Sequence, residues 1–207
     1  MTRTLLVATR NDHKLGEIRE LIAGTEIRIV GPDEAGIPPD SAEQEVEAHD
    51  SFEENALAKA RLFRLRSGLP TIADDSGLCV DALGGDPGVR SRRFAPEELR
   101  RERTEDAANN AWLLERLRNV PDDRRGARYL CALALVDASA TLVVVGRVEG
   151  RIARAERGRG GFGYDPLFLL PERDRTYGEL PPEAKARTSH RADAVRRLRP
   201  WLERWPD

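Results

Sequence analysis

Between Ala73 and Arg90 the chain reads ADDSGLCVDALGGDPGVR, with Asp74, Asp75, Asp81 and Asp86 set among Gly77, Gly84, Gly85 and Gly88. The short apolar run Thr71-Ile72-Ala73 leads into it. A strand that gives way to acids and glycines constrains whatever surrounds it. Carboxylates supply hard oxygen ligands for a divalent cation, and glycines let the backbone turn closely around it. The same residues also make ordinary turns, so this stretch alone leaves a cation site and a surface turn both open.

The cations of the chain sharpen the choice. Arginine dominates, and lysine occurs only at Lys14, Lys59 and Lys185. A compact ammonium retained among guanidinium forks marks those positions as different in use. The 34 basic and 36 acidic residues nearly cancel, so no global field favours nucleic acid or an anionic membrane as partner. Local runs such as Arg90 to Arg93, Arg100 to Arg103 and Arg196-Arg197 read as solvated faces. At 207 residues the chain suits one sizeable domain, and no linker divides it. Cys79 and Cys131 offer neither a disulfide framework nor zinc spacing and read as packing thiols. No signal peptide opens the sequence and no apolar run approaches a membrane span, so a cytoplasmic location is expected.

Read in order, Leu5 to Ala8 is a buried strand, Thr9-Arg10-Asn11-Asp12-His13-Lys14 a polar turn, and Leu15, Ile18, Leu21 and Ile22 one face of a helix ending at Gly24. A strand-turn-helix unit aims backbone N–H groups and the positive helix end at its turn, which suits a phosphate. Lys14 in the first helical turn opposes the helix dipole and calls for an anion in front of it. Glu26 to Val30 is a second strand. Residues 31–49 form a long acidic connection, the kind that is usually functional or mobile. Ser51 and Glu54 form a capping box for a helix over 52–66, on which Asn55 and Lys59 share a face that reads as solvated. Thr71 to Ala73 and Leu78 to Val80 read as separate apolar pieces. A helical region runs from Pro96 to Arg118, with Ala108, Leu113, Leu114 and Leu117 inward. Residues 128–136 and 141–149 form a hairpin. Gly158-Arg159-Gly160-Gly161-Phe162-Gly163-Tyr164-Asp165-Pro166 suggests backbone passing close to a flat ligand, with a surface hairpin loop equally open. A strand at 167–170, a loop over 171–182, a helical turn carrying Lys185 and a last helix capped by Thr188-Ser189 complete the chain.

Acids, scattered lysines and an aromatic-glycine loop together suit a metal-dependent enzyme acting on a nucleotide, since phosphoryl transfer needs charge neutralised on phosphate oxygens and a carboxylate for the attacking water. TRNDHK, SFEENALAKA, ADDSGLCVDALGGDPGV, GFGYDP and SHR, in this order from Thr9 to Arg191, resemble the inosine triphosphate pyrophosphatase family. The resemblance implies an α/β fold, two-lobed around a long central mixed sheet with flanking helices and related to the Maf architecture. It implies one domain over 1–207, a homodimer, and the nucleotide in the cleft between lobes. It implies magnesium-dependent hydrolysis of ITP, dITP and XTP to the monophosphate and pyrophosphate. Thr9, Arg10, Asn11, Asp12, His13 and Lys14 would hold the phosphates. Asp75 would be proton acceptor and metal ligand and Glu47 a second ligand, with Glu45 the fallback. Asp74 and Lys59 would support that end. Ser76, Phe162, Gly163, Tyr164, Asp165, Lys185, His190 and Arg191 would bind the nucleoside, Arg191 or nearby N–H groups donating to O6 and Asp165 accepting from N1–H. Two positions depart from the family pattern. Arg10 replaces a usual glycine, so its turn must avoid a glycine-only conformation or be strained. Ala48-His49-Asp50 stands where a polar residue and a glycine are common. A Maf-like pyrophosphatase for modified nucleotides and a non-catalytic nucleotide- or RNA-binding module remain as alternatives.

Overall fold

The computed structural model describes residues 3–204. Its strands are β1 (Arg3–Val7), β2 (Ile27–Val30), β3 (Thr71–Val80), β4 (Gly126–Val136), β5 (Thr141–Ile152), β6 (Phe168–Leu170) and β7 (Arg175–Thr176). Its helices are α1 (Asp12–Ile22), α2 (Ala42–Glu45), α3 (Phe52–Ser67), α4 (Glu97–Glu102), α5 (Glu105–Arg116), α6 (Pro182–Thr188) and α7 (His190–Glu203). The strands form one mixed sheet in the order β2-β1-β3-β4-β5-β6-β7. β1 pairs parallel with β2 and β3, whereas β6 pairs antiparallel with β5 and β7. The fold is therefore α/β with flanking helices, as the resemblance implied.

Two compact units share this chain. Unit 1 takes the residues up to Asp75, Cys131–Gly146 and those from His190 onward; unit 2 takes Ser76–Leu130 and Arg147–Ser189. No linker separates them, because the boundaries fall inside β3, β4 and β5 and between α6 and α7. Unit 1 has its core where Leu5, Val7, Ile72, Cys131 and Leu133 of the strands meet Ile18 and Ile22 of α1 and Val195, Leu198 and Leu202 of α7. Unit 2 packs Leu113 and Leu117 with Leu78, Tyr129, Phe168 and Tyr177. Three rings cluster there: Tyr129 is tilted against Phe168 at 4.6 Å between centroids, and Phe168 stacks on Tyr177 at 5.2 Å. Both cysteines are free and buried, as packing thiols should be. No helix among the described residues is long and apolar enough to cross a membrane.

The local signals at α1 and α3 hold. Asn11 caps α1, its side chain accepting from Lys14 N, and Ser51 caps α3, accepting from Glu54 N. Gly68, left-handed at φ 70°, ends α3. The capping box at Ser51 is modified, since the Glu54 carboxylate accepts from the Ser51 hydroxyl.

Four expectations need correction. β3 does not break at Asp74 and Asp75 but runs unbroken through Gly77 to Val80, because both acids find partners from the strand and no turn is required. The helical region after Pro96 is two helices, interrupted where Thr104 caps α5. Residues 171–182 are not one loop; they contain β7, too short at two residues to show a periodic pattern. Thr188 does not cap α7, as its hydroxyl donates back to Ala184 O within α6.

Candidate functional residues of each unit

Unit 1 collects the ionic residues. Asp74 and Asp75 are neighbours in β3, and side chains alternate across a strand, so the two acids meet different company. Asp74 is fully buried, and its Oδ2 accepts from Lys14 Nζ at 2.9 Å and from Arg191 Nη2 at 3.1 Å. Lys14 thus has its anion, and that anion belongs to the protein. Burial alone would raise the Asp74 carboxyl, but the charges of Lys14, Arg191 and Lys59 outweigh it and hold it far below the usual carboxylate range. Arg191 is almost wholly covered, and its other arm forms an ion pair with Glu17 of α1.

Two local features bring Arg191 there. Glu17 lies one turn beyond Lys14 on α1, so both reach the same place. Gly146 lets the first turn of α7 lie directly on β5: a Cβ there would stand 2.2 Å from both His190 O and Ala194 N. Arg191, expected together with nearby N–H groups at the base, has its guanidinium on two carboxylates of unit 1, Glu17 at 174 residues' separation and Asp74 at 117.

Asp75 accepts from Asn55 Nδ2 at 3.0 Å. Burial raises its carboxyl, with Lys59, Asn55 and Lys14 only partly opposing and Glu47 adding to the rise. Lys59 forms an ion pair with Glu47 and lies in the field of Asp74 and Asp75 as well. Burial would lower this lysine, yet the carboxylates prevail and its ammonium is held above the ordinary range. Asn55 and Lys59 are both buried, so the solvated face expected for them is wrong. Asn55 also accepts from His49 N, which ties the end of the 31–49 connection to α3 beside Asp75.

The remaining unit 1 candidates are in the turn. Asn11 spends its side-chain oxygen on the helix cap, and its own N–H donates to Thr9 Oγ1 at 3.2 Å. Asp12 and His13 are exposed. Arg10 avoids positive φ, so the turn tolerates it without strain, and its guanidinium is taken up by Glu43, Asp33 and Ile37 O of the connection.

Unit 2 builds a different group from backbone. Gly158, Gly161 and Gly163 all have positive φ. At Gly161 the need is double, since a Cβ would stand 1.9 Å from Asp165 Oδ2. Asp165 is buried; its Oδ2 accepts from Phe162 N at 2.9 Å and from Lys185 Nζ at 2.5 Å. That oxygen therefore shapes the loop. The Lys185 ammonium lies 4.3 Å from the Phe162 ring centroid, a cation–π contact. Tyr164 is not a stacking surface, because it is buried and donates to Ser91 O at 2.7 Å. Two residues that the sequence reading missed hold the loop onto α5: Asp106 accepts from Gly163 N at 2.7 Å, and Asn110 donates to Gly163 O at 3.2 Å. Their i, i+4 spacing was the available signal. Ser76 follows Asp75 in β3, His190 begins α7 and Asp86 lies in unit 2, where Asp81 pairs with Arg128.

No set of three or more His, Cys, Asp or Glu side chains is gathered for a metal among the described residues. Glu47 and Asp75 with the lysine between their fields nonetheless suit magnesium, which is characteristically held by one or two carboxylates with water and substrate phosphates filling its remaining positions.

Comparison with known proteins is consistent with this chemistry. Residues 5–201 match the Ham1 family. A dITP/XTP pyrophosphatase of Nocardia farcinica is 50% identical over 202 residues, covering 96% of this chain and 94% of the relative. The solved structure of a HAM1 protein from Coxiella burnetii has 38% identity and a TM-score of 0.85, covering 98% of this chain and 99% of that one. A structure of the nucleoside-triphosphatase / dITP/XTP pyrophosphatase from Mycobacterium abscessus has 44% identity and a TM-score of 0.72, with 95% and 99% covered. With its fold and nearly its whole length in common with these proteins, the chain belongs to the Ham1 family.

Proposed function

We propose that this protein hydrolyses the non-canonical purine nucleoside triphosphates dITP, XTP and ITP to the nucleoside monophosphate and pyrophosphate. The relatives named dITP/XTP pyrophosphatases favour this over a Maf-like substrate range or a non-catalytic binding module. The observation that carries the chemistry is the contrast between two adjacent acids. Asp74, gripped by two cations, stays ionised and is a poor base. Asp75, raised by burial and bonded to a neutral amide, is the better proton acceptor. Neighbouring titratable groups driven apart in this way mark acid–base roles.

In this reading Asp75 takes a proton from water as the water oxygen bonds to the α-phosphorus. The bond from that phosphorus to the bridging oxygen breaks, and pyrophosphate leaves. Glu47 and Asp75 would hold a magnesium ion, which when bound neutralises charge on the phosphate oxygens. Lys14 and the α1 N-terminus with Thr9 to His13 receive the phosphates, Arg10 through its backbone alone. Lys59 and Asp74 keep the acids and cations in register. Within unit 2 the Phe162 ring offers a stacking face for a base, and Lys185, with three donors and an aromatic ring to fix it, is suited to a purine O6. His190 and Ser76 flank the two groups in sequence. A homodimer, which the resemblance implies, and a cytoplasmic location, which the sequence leads us to expect, belong to the same proposal.

The test is release of pyrophosphate from dITP, XTP, ITP and ATP with magnesium, then with EDTA. Release from the first three, weak release from ATP and loss in chelator are expected. Equal rates on ATP and ITP, or release untouched by EDTA, would sink the reading.

A further inference from the structure

Arg10 stands in the turn between β1 and α1, where a phosphate site would keep its surface bare, yet its side chain turns to the acidic connection instead. Nε and Nη2 fork onto the two Glu43 oxygens, each at 2.8 Å. Nη1 donates to Asp33 at 2.6 Å and Nη2 to Ile37 O at 3.0 Å. One guanidinium thus holds the connection at three separated points. Glu43 is also reached by Arg66 Nη1 of α3 at 3.4 Å, while the other arm of Arg66 takes Asp40. The Glu43 side chain is only 14% exposed and that of Arg10 26%, so water competes less than at an open surface pair. The fork also gives direction, which a point charge would not.

Glu43 lies in α2, and Glu47, paired with Lys59, follows two residues after that helix ends. α2 itself has only four residues, and the other side-chain ties of the connection reach it before or after that helix, from Arg19 to Glu34, from Arg66 to Asp40 and from Asn55 to His49. We propose that Arg10 is a positioning residue: by clamping Glu43, Asp33 and Ile37 it fastens the 31–49 connection across the phosphate turn and so presets Glu47 at Lys59. This rests on the pyrophosphatase reading for its catalytic consequence, but not for the clamp itself.

The experiment has two arms. Hydrogen exchange over residues 31–49 is measured in nucleotide-free, metal-free protein for the wild type, Arg10→Gly, Arg10→Lys and Glu43→Gln, with thermal unfolding as the check on global folding. KM and kcat for ITP are then measured on the same proteins. Arg10→Gly and Glu43→Gln should both speed exchange in that segment. Both should raise KM by about tenfold, the scale of one charge-assisted contact, with kcat nearly kept. Arg10→Lys should not rescue, because an ammonium cannot fork. The double variant Arg10→Gly/Glu43→Gln should lose less than the sum of the two single changes, because the two residues share one contact while Arg10 also holds Asp33 and Ile37 and Glu43 also meets Arg66. Unchanged exchange in Arg10→Gly overturns the clamp whatever the activity. So does loss of activity in Arg10→Gly with Glu43→Gln unaffected, since that pattern means direct contact with substrate. If no protein hydrolysed any nucleotide, the proposed function would fall while the exchange arm still decided the clamp.

Discussion

Each unit buries one aspartate against a lysine, and the two pairs do different work. In unit 1 Asp74 meets Lys14 and Arg191, and the pairing extends through Glu17. In unit 2 Asp165 meets Lys185 and spends the same oxygen on a backbone N–H of its own loop. The first is a charge network that sets which acids stay ionised. The second is a peg that gives shape to a glycine loop and presses an ammonium onto an aromatic face. A buried ion pair therefore says little about role until its further partners are counted.

The sharpest way to break this contrast is at the acid beside the network. Asp75→Asn keeps the shape and the reach of Asn55 but removes the proton acceptor. kcat for ITP should fall by about 10²–10⁴, the usual scale for a general base, while ITP still binds in a direct titration. Turnover near the wild-type rate would remove Asp75 from that role.

Next in size is the stability of the two buried pairs. Asp74→Asn takes a carboxylate from two cations, one of them an arginine that cannot shed its proton although it keeps Glu17. Breaking such a pair costs roughly 3–5 kcal/mol. Asp165→Asn strands one lysine, which adapts to burial more readily, and leaves an amide oxygen for Phe162 N; about 1.5–3 kcal/mol is expected, the worth of a hydrogen bond to a charged group. Urea unfolding of both variants checks the order. An equal or larger loss for Asp165→Asn would mean that the two pairs are not different in kind.

The sequence made some of this legible for physical reasons. Ser51, Asn11 and Gly68 act on their own few neighbours, so local pattern was enough to find them. The three lysines stood out by rarity among arginines, and each proves to be paired with a carboxylate: Lys14 with Asp74, Lys59 with Glu47, Lys185 with Asp165. What local pattern could not supply is the partner across the chain. Asn55 and Lys59 look like a wet helix face until β3 and the 31–49 connection fold onto them. Tyr164 looks like a ligand face until Ser91, 73 residues away, accepts its hydroxyl. Glu17 carries no signal at all without Arg191.

The smallest effect belongs to unit 2 and tests whether its loop reads a base. Phe162 is half-buried and carries Lys185 on its ring, while Tyr164 is sealed in the core. Phe162→Leu keeps apolar bulk and removes the π face. If a purine stacks there, KM for ITP should rise by the loss of about 1–3 kcal/mol of base–aromatic stacking, with kcat largely kept. Tyr164→Phe should leave KM unchanged and lower the unfolding midpoint instead, because its hydroxyl serves Ser91 and not a ligand. If KM stayed put in Phe162→Leu but climbed in Tyr164→Phe, the assignment of the two rings would be reversed, and unit 2 would be a peg without a base to hold.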